Sequence, residues 1–133
     1  MFKNDNSKAT GKLTVEIKND KGVVVETREV KNLVVDDGLE FIADRMKNNS
    51  TVMSHMAIGT GSTAAAASDT ALGTEAARQA LTSTTVTANA VAYVASFAAG
   101  TGTGAITEAG ILNAGSGGTL LCRTVFSVVN KGA

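Results

Sequence analysis

The side chains able to do chemistry are few and far apart in this chain. His55 is the single histidine and Cys122 the single cysteine among 133 residues. Nucleophilic catalysis needs a base within hydrogen-bond reach of the nucleophile and a third group to orient that base. Ser54 adjoins His55, but neighbouring side chains on a strand point to opposite faces, so the two are expected to stand apart. Between Met53 and Met56, His55 reads as structural. Cys122, beside Leu120 and Leu121 on an alternating run, reads as an inert buried thiol. One His and one Cys cannot supply a zinc set, whose ligands must cluster. Asp36, Asp37, Glu40 and Asp44 form the one acidic cluster. A hard cation could use such oxygens, but helix capping with a solvated face explains the cluster more simply. Gly59-Thr60-Gly61-Ser62 and Gly100-Thr101-Gly102-Thr103-Gly104 look like phosphate loops. Neither is followed by Gly-Lys-Ser/Thr and neither completes a dinucleotide fingerprint before a helix, so both read as turns. No catalytic, cofactor-binding or metal-binding residues are assigned, and the chain is read as a non-enzyme without a cofactor.

A charged pair sits instead within an apolar hairpin. Residues 105–129 form two β-branched, apolar runs around Gly115-Ser116-Gly117-Gly118, the signature of strand, turn, strand. Pairing Asn113 with Gly118 places Ile111 opposite Leu120, Ala109 opposite Cys122, and Glu108 opposite Arg123. Directly opposed side chains lie about 4.5–5.5 Å apart, close enough for an ion pair that sets register.

The elements around this hairpin follow from periodicity. Leu13, Val15 and Ile17 alternate with Thr14, Glu16 and Lys18, the period of a half-buried strand. Asn19-Asp20-Lys21-Gly22 is turn chemistry, and Val23–Val30 completes a hairpin whose Glu26, Arg28 and Glu29 suggest an edge. Leu33–Val35 continues extended. Asp37 and Glu40 fit a capping box opening a helix over about residues 37–47. Its apolar stripe is Leu39, Ile42, Ala43 and Met46, and Asn48-Asn49 ends it. Val52–Gly59 is a further strand. Thr60–Thr74 is a long small-residue loop, with one helical turn at Ala64–Ala67. Loops of this length in compact domains are usually functional or covered by a partner. Ala76–Thr87 and Val91–Phe97 pair around Ala88-Asn89-Ala90. The sum is a mainly β chain: a β-sandwich or partly closed barrel of about seven antiparallel strands with one helix laid against it. Residues 1–11 are expected to be a flexible N-terminal arm, and 12–133 a single β-rich domain.

Composition narrows the function. The net charge is zero, which argues against a general nucleic-acid binder. Leu, Ile, Val and Phe total 31 residues, above the range of disordered chains. A single cysteine excludes an internal disulfide. The polar start lacks the apolar core of a signal peptide, and no apolar run approaches the ~20 residues of a membrane helix. Manufacture and use in a cytoplasm, or assembly there, and no membrane partner are therefore expected. Residues 1–50 hold nine acidic and nine basic side chains, whereas residues 51–133 hold six charged ones: Asp69, Glu75, Arg78, Glu108, Arg123 and Lys131. So sparse a charge over so long a span suggests burial or an assembly that covers it.

Three segments resemble a family of small tailed-phage virion proteins, of structural or tail-fibre-like type. They are Lys31–Val35 with Gly38–Met46, Met53–Gly61, and Gly104–Ile111 with Gly118–Phe126. A Thr-Glu-Ala-Gly-Ile run followed by Arg-Thr-x-Phe, here Thr107–Ile111 and Arg123–Phe126, also recurs in tail-fibre and collar-like phage domains. The resemblance spans most of residues 12–132 and rests on fold motifs. It implies a virion structural component, with other virion proteins and further copies of the chain as partners. Family members continue past Asn130-Lys131-Gly132-Ala133 into one more strand, so an open edge near the C-terminus is expected, available to a neighbour by β-augmentation.

The favoured function is a capsid decoration or cement protein bound to the major capsid protein, with Thr60–Thr74, the N-terminal arm and that edge as contact regions. The alternative is a tail-fibre or baseplate adaptor. A receptor- or glycan-binding module fits less well, because sugar stacking needs exposed aromatics and Tyr93 with four Phe sit mostly at core positions.

Overall fold

The computed structural model describes residues 9–132. Over these residues the chain is mainly β with a single helix, in the order β1 (Gly11–Lys18), β2 (Val24–Val34), α1 (Asp36–Arg45), β3 (His55–Gly59), β4 (Glu75–Ala80), β5 (Ser83–Thr87), β6 (Ala90–Val94), β7 (Gly104–Leu112) and β8 (Leu120–Lys131). Six strands form one open antiparallel sheet in the order β1-β2-β8-β7-β3-β4, and β5-β6 form a separate two-stranded ribbon. Eight strands replace the expected seven because the run Ala76–Thr87 breaks. The Leu81 N–H donates to the Ser54 carbonyl and the Thr82 N–H to the Val94 carbonyl, so the chain changes ladder partner between them. Leu81 itself turns onto the cluster of Met53, Ile111 and Cys122. Gly11 already belongs to β1, one residue before the expected domain start, while residues 1–8 of the expected arm lie outside the described residues.

The β7–β8 hairpin forms in a different register from the one its turn suggested. Ile111 pairs with Cys122, Ala109 with Thr124, and Glu108 with Val125. The loop closes between Asn113 and Thr119, not Gly118, with the Thr119 N–H donating to Asn113 Oδ1 at 2.7 Å. Gly117 and Gly118 supply the positive φ that this wider loop needs, at +59° and +78°. A bulge between Ile111 and Leu112 adds a second step. Since side chains alternate with a period of two, a slip of two residues leaves each on its expected face. Glu108 and Arg123 become diagonal neighbours on one face rather than opposed ones.

Both faces of the sheet are covered over β7 and the first half of β8, whereas β1 and β2 leave one face exposed. On the Glu108 face, Val35, Ala57, Leu112 and Leu120 bury against Leu72 of the segment between β3 and β4. On the other face, Ile58, Ile106, Ala109 and Phe126 pack with Leu13, Val30, Phe97 and Val129. Met53, Ile111 and Cys122 continue that layer beneath Phe41 and Tyr93.

The helix is seated differently from the sequence expectation. Its N-cap is Val35, without a side-chain cap, so the Asp37–Glu40 capping box does not form. The Asp36 N–H is taken by the Ala67 carbonyl instead. The face turned to the sheet carries Gly38 and Phe41. A Cβ at Gly38 would overlap the Leu121 carbonyl, so only glycine permits this approach. The apolar stripe points outward, leaving Leu39 and Ile42 each 41% exposed and Met46 88% exposed.

The terminal strand β8 is not an edge of the sheet; β1 and β4 are. Its ladder with β2 comprises Cys122 and Arg123. Beyond that point the two strands diverge, and the Arg28 guanidinium bridges them by donating to the carbonyls of Ser127 and Val128 at 2.7 and 3.1 Å. Part of the edge expected near the C-terminus is thus capped from within the chain.

Candidate functional site

The most highly organised polar site is built around Glu108. Its side chain is fully buried on β7. Buried carboxylates survive only when paired and hydrogen-bonded. Here the Arg123 Nε donates to Oε1 at 2.9 Å. The backbone N–H groups of Gly61, Gly73 and Thr74 each donate to the same carboxylate at 2.7 Å. Burial pushes the Glu108 carboxyl up, but these donors outweigh it and hold it below the usual carboxylate range. Arg123 is also surrounded. Its other nitrogens donate to Asp69 Oδ2 at 2.8 Å and to the Thr63 carbonyl at 3.0 Å. Burial alone would lower the guanidinium pKa, but Asp69 and Glu108 together raise it. Asp69 lies below its ordinary value, chiefly because the Ala66 N–H donates to it.

This network turns residues 60–74 into a strap across the sheet. Thr107 Oγ1 adds a bond to the Gly61 carbonyl at 2.7 Å. In place of the helical turn expected at Ala64–Ala67, a turn is closed at residues 66–69 by the Asp69 N–H donating to the Ala66 carbonyl. The glycines are required by close approach. A Cβ at Gly61 would strike Glu108 Oε2, and one at Gly59 would strike the Thr74 carbonyl. The resemblance of Gly59-Thr60-Gly61-Ser62 to a phosphate loop therefore has a physical content. Its backbone does cradle an anion, together with Gly73 and Thr74, but the anion is the chain's own glutamate. The sequence identified Glu108 and Arg123. It missed Asp69, whose only signal was an isolated carboxylate in a charge-poor stretch.

Ser54 and His55 come together, contrary to expectation: Ser54 Oγ lies 2.8 Å from His55 Nδ1. The Ser54 backbone extends the β3 ladder, its N–H donating to the Leu112 carbonyl and its carbonyl accepting from Leu81, and its short side chain still reaches the ring of the next residue. Among the described residues no carboxylate hydrogen-bonds to the imidazole, so the orienting group of a triad is missing. Cys122 is buried, accepts a 3.5 Å contact from Asn32 Nδ2, and has its thiol pushed up to about 11 by burial. It stays protonated at neutral pH and is a poor nucleophile. The acidic cluster does not converge, and among the described residues no group of three or more His, Cys, Asp or Glu could hold a metal. Asp44 instead accepts from Asn48 and Ser50 just past the helix.

A cleft of about 350 Å³ opens beside the strap, lined by Lys31, Asn32, Ser62, Ala64, Arg123 and Thr124. Three Arg123 nitrogens are already engaged with Glu108, Asp69 and Thr63, so Arg123 offers this cleft no uncommitted nitrogen.

Large apolar side chains are exposed at several places on the surface. Val23 and Val25 are exposed at the β1–β2 tip, Leu39 and Ile42 on α1 with Met46 at its C-cap, and Val86, Val91 and Val94 on the ribbon. Every charged side chain of residues 51–132 is engaged within the chain. Asp69, Glu108 and Arg123 form the network, Glu75 pairs with Arg78 at 2.6 Å, and Lys131 donates to the Ala98 carbonyl. Compared with known proteins, the chain matches no family model, no curated protein and no solved structure.

Proposed function

We propose that this chain is a non-enzymatic structural component of a tailed-phage virion, bound to the head shell as a decoration or cement protein. The observation that carries the reading is the pairing of two features. The charges of residues 51–132 are turned to partners within the chain, while large apolar side chains are left outside on three separate elements. A surface of that kind is favourable where a neighbour removes it from water, at roughly 25 cal/mol per Å² of apolar area.

The mechanism is surface burial. Each specific contact removes roughly 1,200–2,000 Å² from solvent. A protein that binds only the assembled shell stabilises that shell by mass action. The strap serves this role as a platform tied to the sheet rather than a free arm, because Glu108 and Arg123 hold it there. Its outward residues Ala64, Ala66 and Ala67 remain exposed for contact.

The test is cryo-EM of the virion together with copy number. Density over capsomer joints at hundreds of copies is expected. A few or tens of copies in the tail would overturn the head assignment and favour the tail-fibre or baseplate adaptor. Absence from purified particles would overturn the virion reading altogether.

A further inference from the structure

The cleft beside the strap lies where β2 parts from β8. The two strands share only the ladder pairs Leu33–Arg123 and Val34–Cys122. Leu33 and Arg123 stand on the strap side of the sheet, and with a period of two so do Lys31 and Val125. Just past the ladder, the Lys31 carbonyl is met by a side chain, Thr124 Oγ1, which donates to it at 3.0 Å. The parting strands leave Leu33 and Val125 as an apolar floor, and Ala64 and Ala65 of the strap form a wall beside it. Leu33 is 36% exposed there. At about 350 Å³ the cleft is near the lower end of small-ligand sites, which run from about 300 to 1,000 Å³.

The polar groups of this cleft are few. Arg123 is spent on Glu108, Asp69 and Thr63. The N–H groups of Gly61, Gly73 and Thr74 are spent on Glu108, and that of Ala66 on Asp69. What remains is the Lys31 ammonium and the Ser62 hydroxyl, both exposed. Lys31 also faces a like charge. In the β1–β2 ladder it stands directly opposite Lys12, and like charges so opposed are destabilising. Glu29 pairs with Lys12 at 3.5 Å, and among the described residues Lys31 Nζ has no ion-pair partner. Two lysines share one carboxylate at this corner of the sheet, and an anion beside Lys31 would offset the repulsion.

We propose that the cleft binds a monocarboxylate with a short branched aliphatic body, its carboxylate on Lys31 and Ser62 and its body on Leu33 and Val125. One ammonium and one hydroxyl suit a monoanion. The clustered backbone donors that a phosphate would use are turned inward to Glu108. A small anion without an apolar body would leave the floor wet, and a neutral aliphatic molecule would leave Lys31 against Lys12. The proposal stands apart from the virion reading and neither depends on the other. A free short-chain acid and the C-terminal aliphatic residue of a peptide supply the same chemistry.

NMR titration of the full chain with isovalerate tests this. Saturable shifts are expected for the methyl groups of Leu33, Val125, Ala64 and Ala65. Isovaleramide has the shape without the charge, and formate the charge without the body. Each should bind at least about tenfold more weakly. Lys31→Met should weaken isovalerate by about tenfold, the effect of losing one charge-assisted contact. Ser62→Ala should weaken it by less, and Lys21→Met at the distant β1–β2 turn should not change it. All three positions are exposed, so circular dichroism melts should show the fold retained. Shifts that never saturate, equal binding of isovaleramide, or unchanged affinity in Lys31→Met would each overturn the proposal. Acetyl-alanyl-valine and its C-terminal amide separate the two sources. A peptide acid that binds more tightly than isovalerate supports a chain terminus as the ligand, and one that binds more weakly supports a free acid.

Discussion

The strap over Glu108 and the β5–β6 ribbon both come from the charge-poor part of the chain, yet they are held in opposite ways. The strap has little regular structure of its own and is bound by a buried carboxylate, a buried guanidinium and Leu72. The ribbon has a complete ladder of five pairs and is anchored to the body mainly through Tyr93. Regular hydrogen bonding therefore does not identify the firmly held region. Local stability follows buried contacts and satisfied buried polar groups, and irregular backbone gains both when one acidic side chain accepts several of its N–H groups.

Replacing Glu108 is the most severe way to break this contrast. Glu108→Ala leaves Arg123 buried with only Asp69 as a charged partner and orphans the N–H groups of Gly61, Gly73 and Thr74. A loss of about 3–5 kcal/mol is expected in urea unfolding, the usual cost of breaking a buried pair from one side. Apolar replacement of both partners, Glu108→Met with Arg123→Met, should not restore stability, because the strap's N–H groups would still lack an acceptor. A double variant as stable as the parent would show that the strap is held by Leu72 and not by the carboxylate.

Gly61→Ala comes next. Its Cβ would meet the Glu108 carboxylate, so a cost of about 1–3 kcal/mol is expected from overpacking. Alanine at Gly22 is the comparison. There nothing lies within 4 Å and φ is +76°, so backbone strain alone acts, at about 1 kcal/mol. Chemical denaturation of the two variants separates close approach from strain.

Acid should loosen the strap before the ribbon. Glu108 and Asp69 both lie below their ordinary values in the folded chain. Groups with depressed folded pKa values contribute stability that is fully present above the unfolded values, near about 4. It is lost as pH falls through the folded values. Thermal melts should therefore be flat near neutrality and fall below about pH 4. The fall should be shallower in Asp69→Asn, which removes one of the two groups. An acid limb of equal steepness would remove Asp69 from the account.

The smallest effect belongs to the ribbon turn. Ala88 sits at φ +52°, the one non-glycine residue with positive φ among those described. Ala88→Gly should relieve about 0.5–1 kcal/mol of local strain. Hydrogen exchange in β5 and β6 should slow, while the global melt should scarcely move. An equal gain in the global melt would mean that the ribbon unfolds with the sheet and is as firmly held as the strap.

The sequence by itself determined the β class, the β1–β2 and β7–β8 hairpins, the site of the helix and the Glu108–Arg123 pair. Each depends on short-range periodicity, turn chemistry, or two residues brought close by one hairpin. Even with the register displaced by two residues the pair survives, since a shift of two preserves the face. Contacts made across long separations were decided by the tertiary structure. Asp69 reaches Arg123 from 54 positions away, and no local pattern marks it. The strap's function as an anion cradle depends on where β7 places Glu108, which turns a loop expected to reach a neighbour into one bound to its own sheet. The outward rotation of α1 was also settled there. Gly38 permits a closer approach than any residue with a Cβ, so the helix seats on its glycine and Phe41 rather than on its widest apolar stripe. That stripe, read from the sequence as an apolar helix face, is left exposed because the helix approaches the sheet through Gly38 and Phe41.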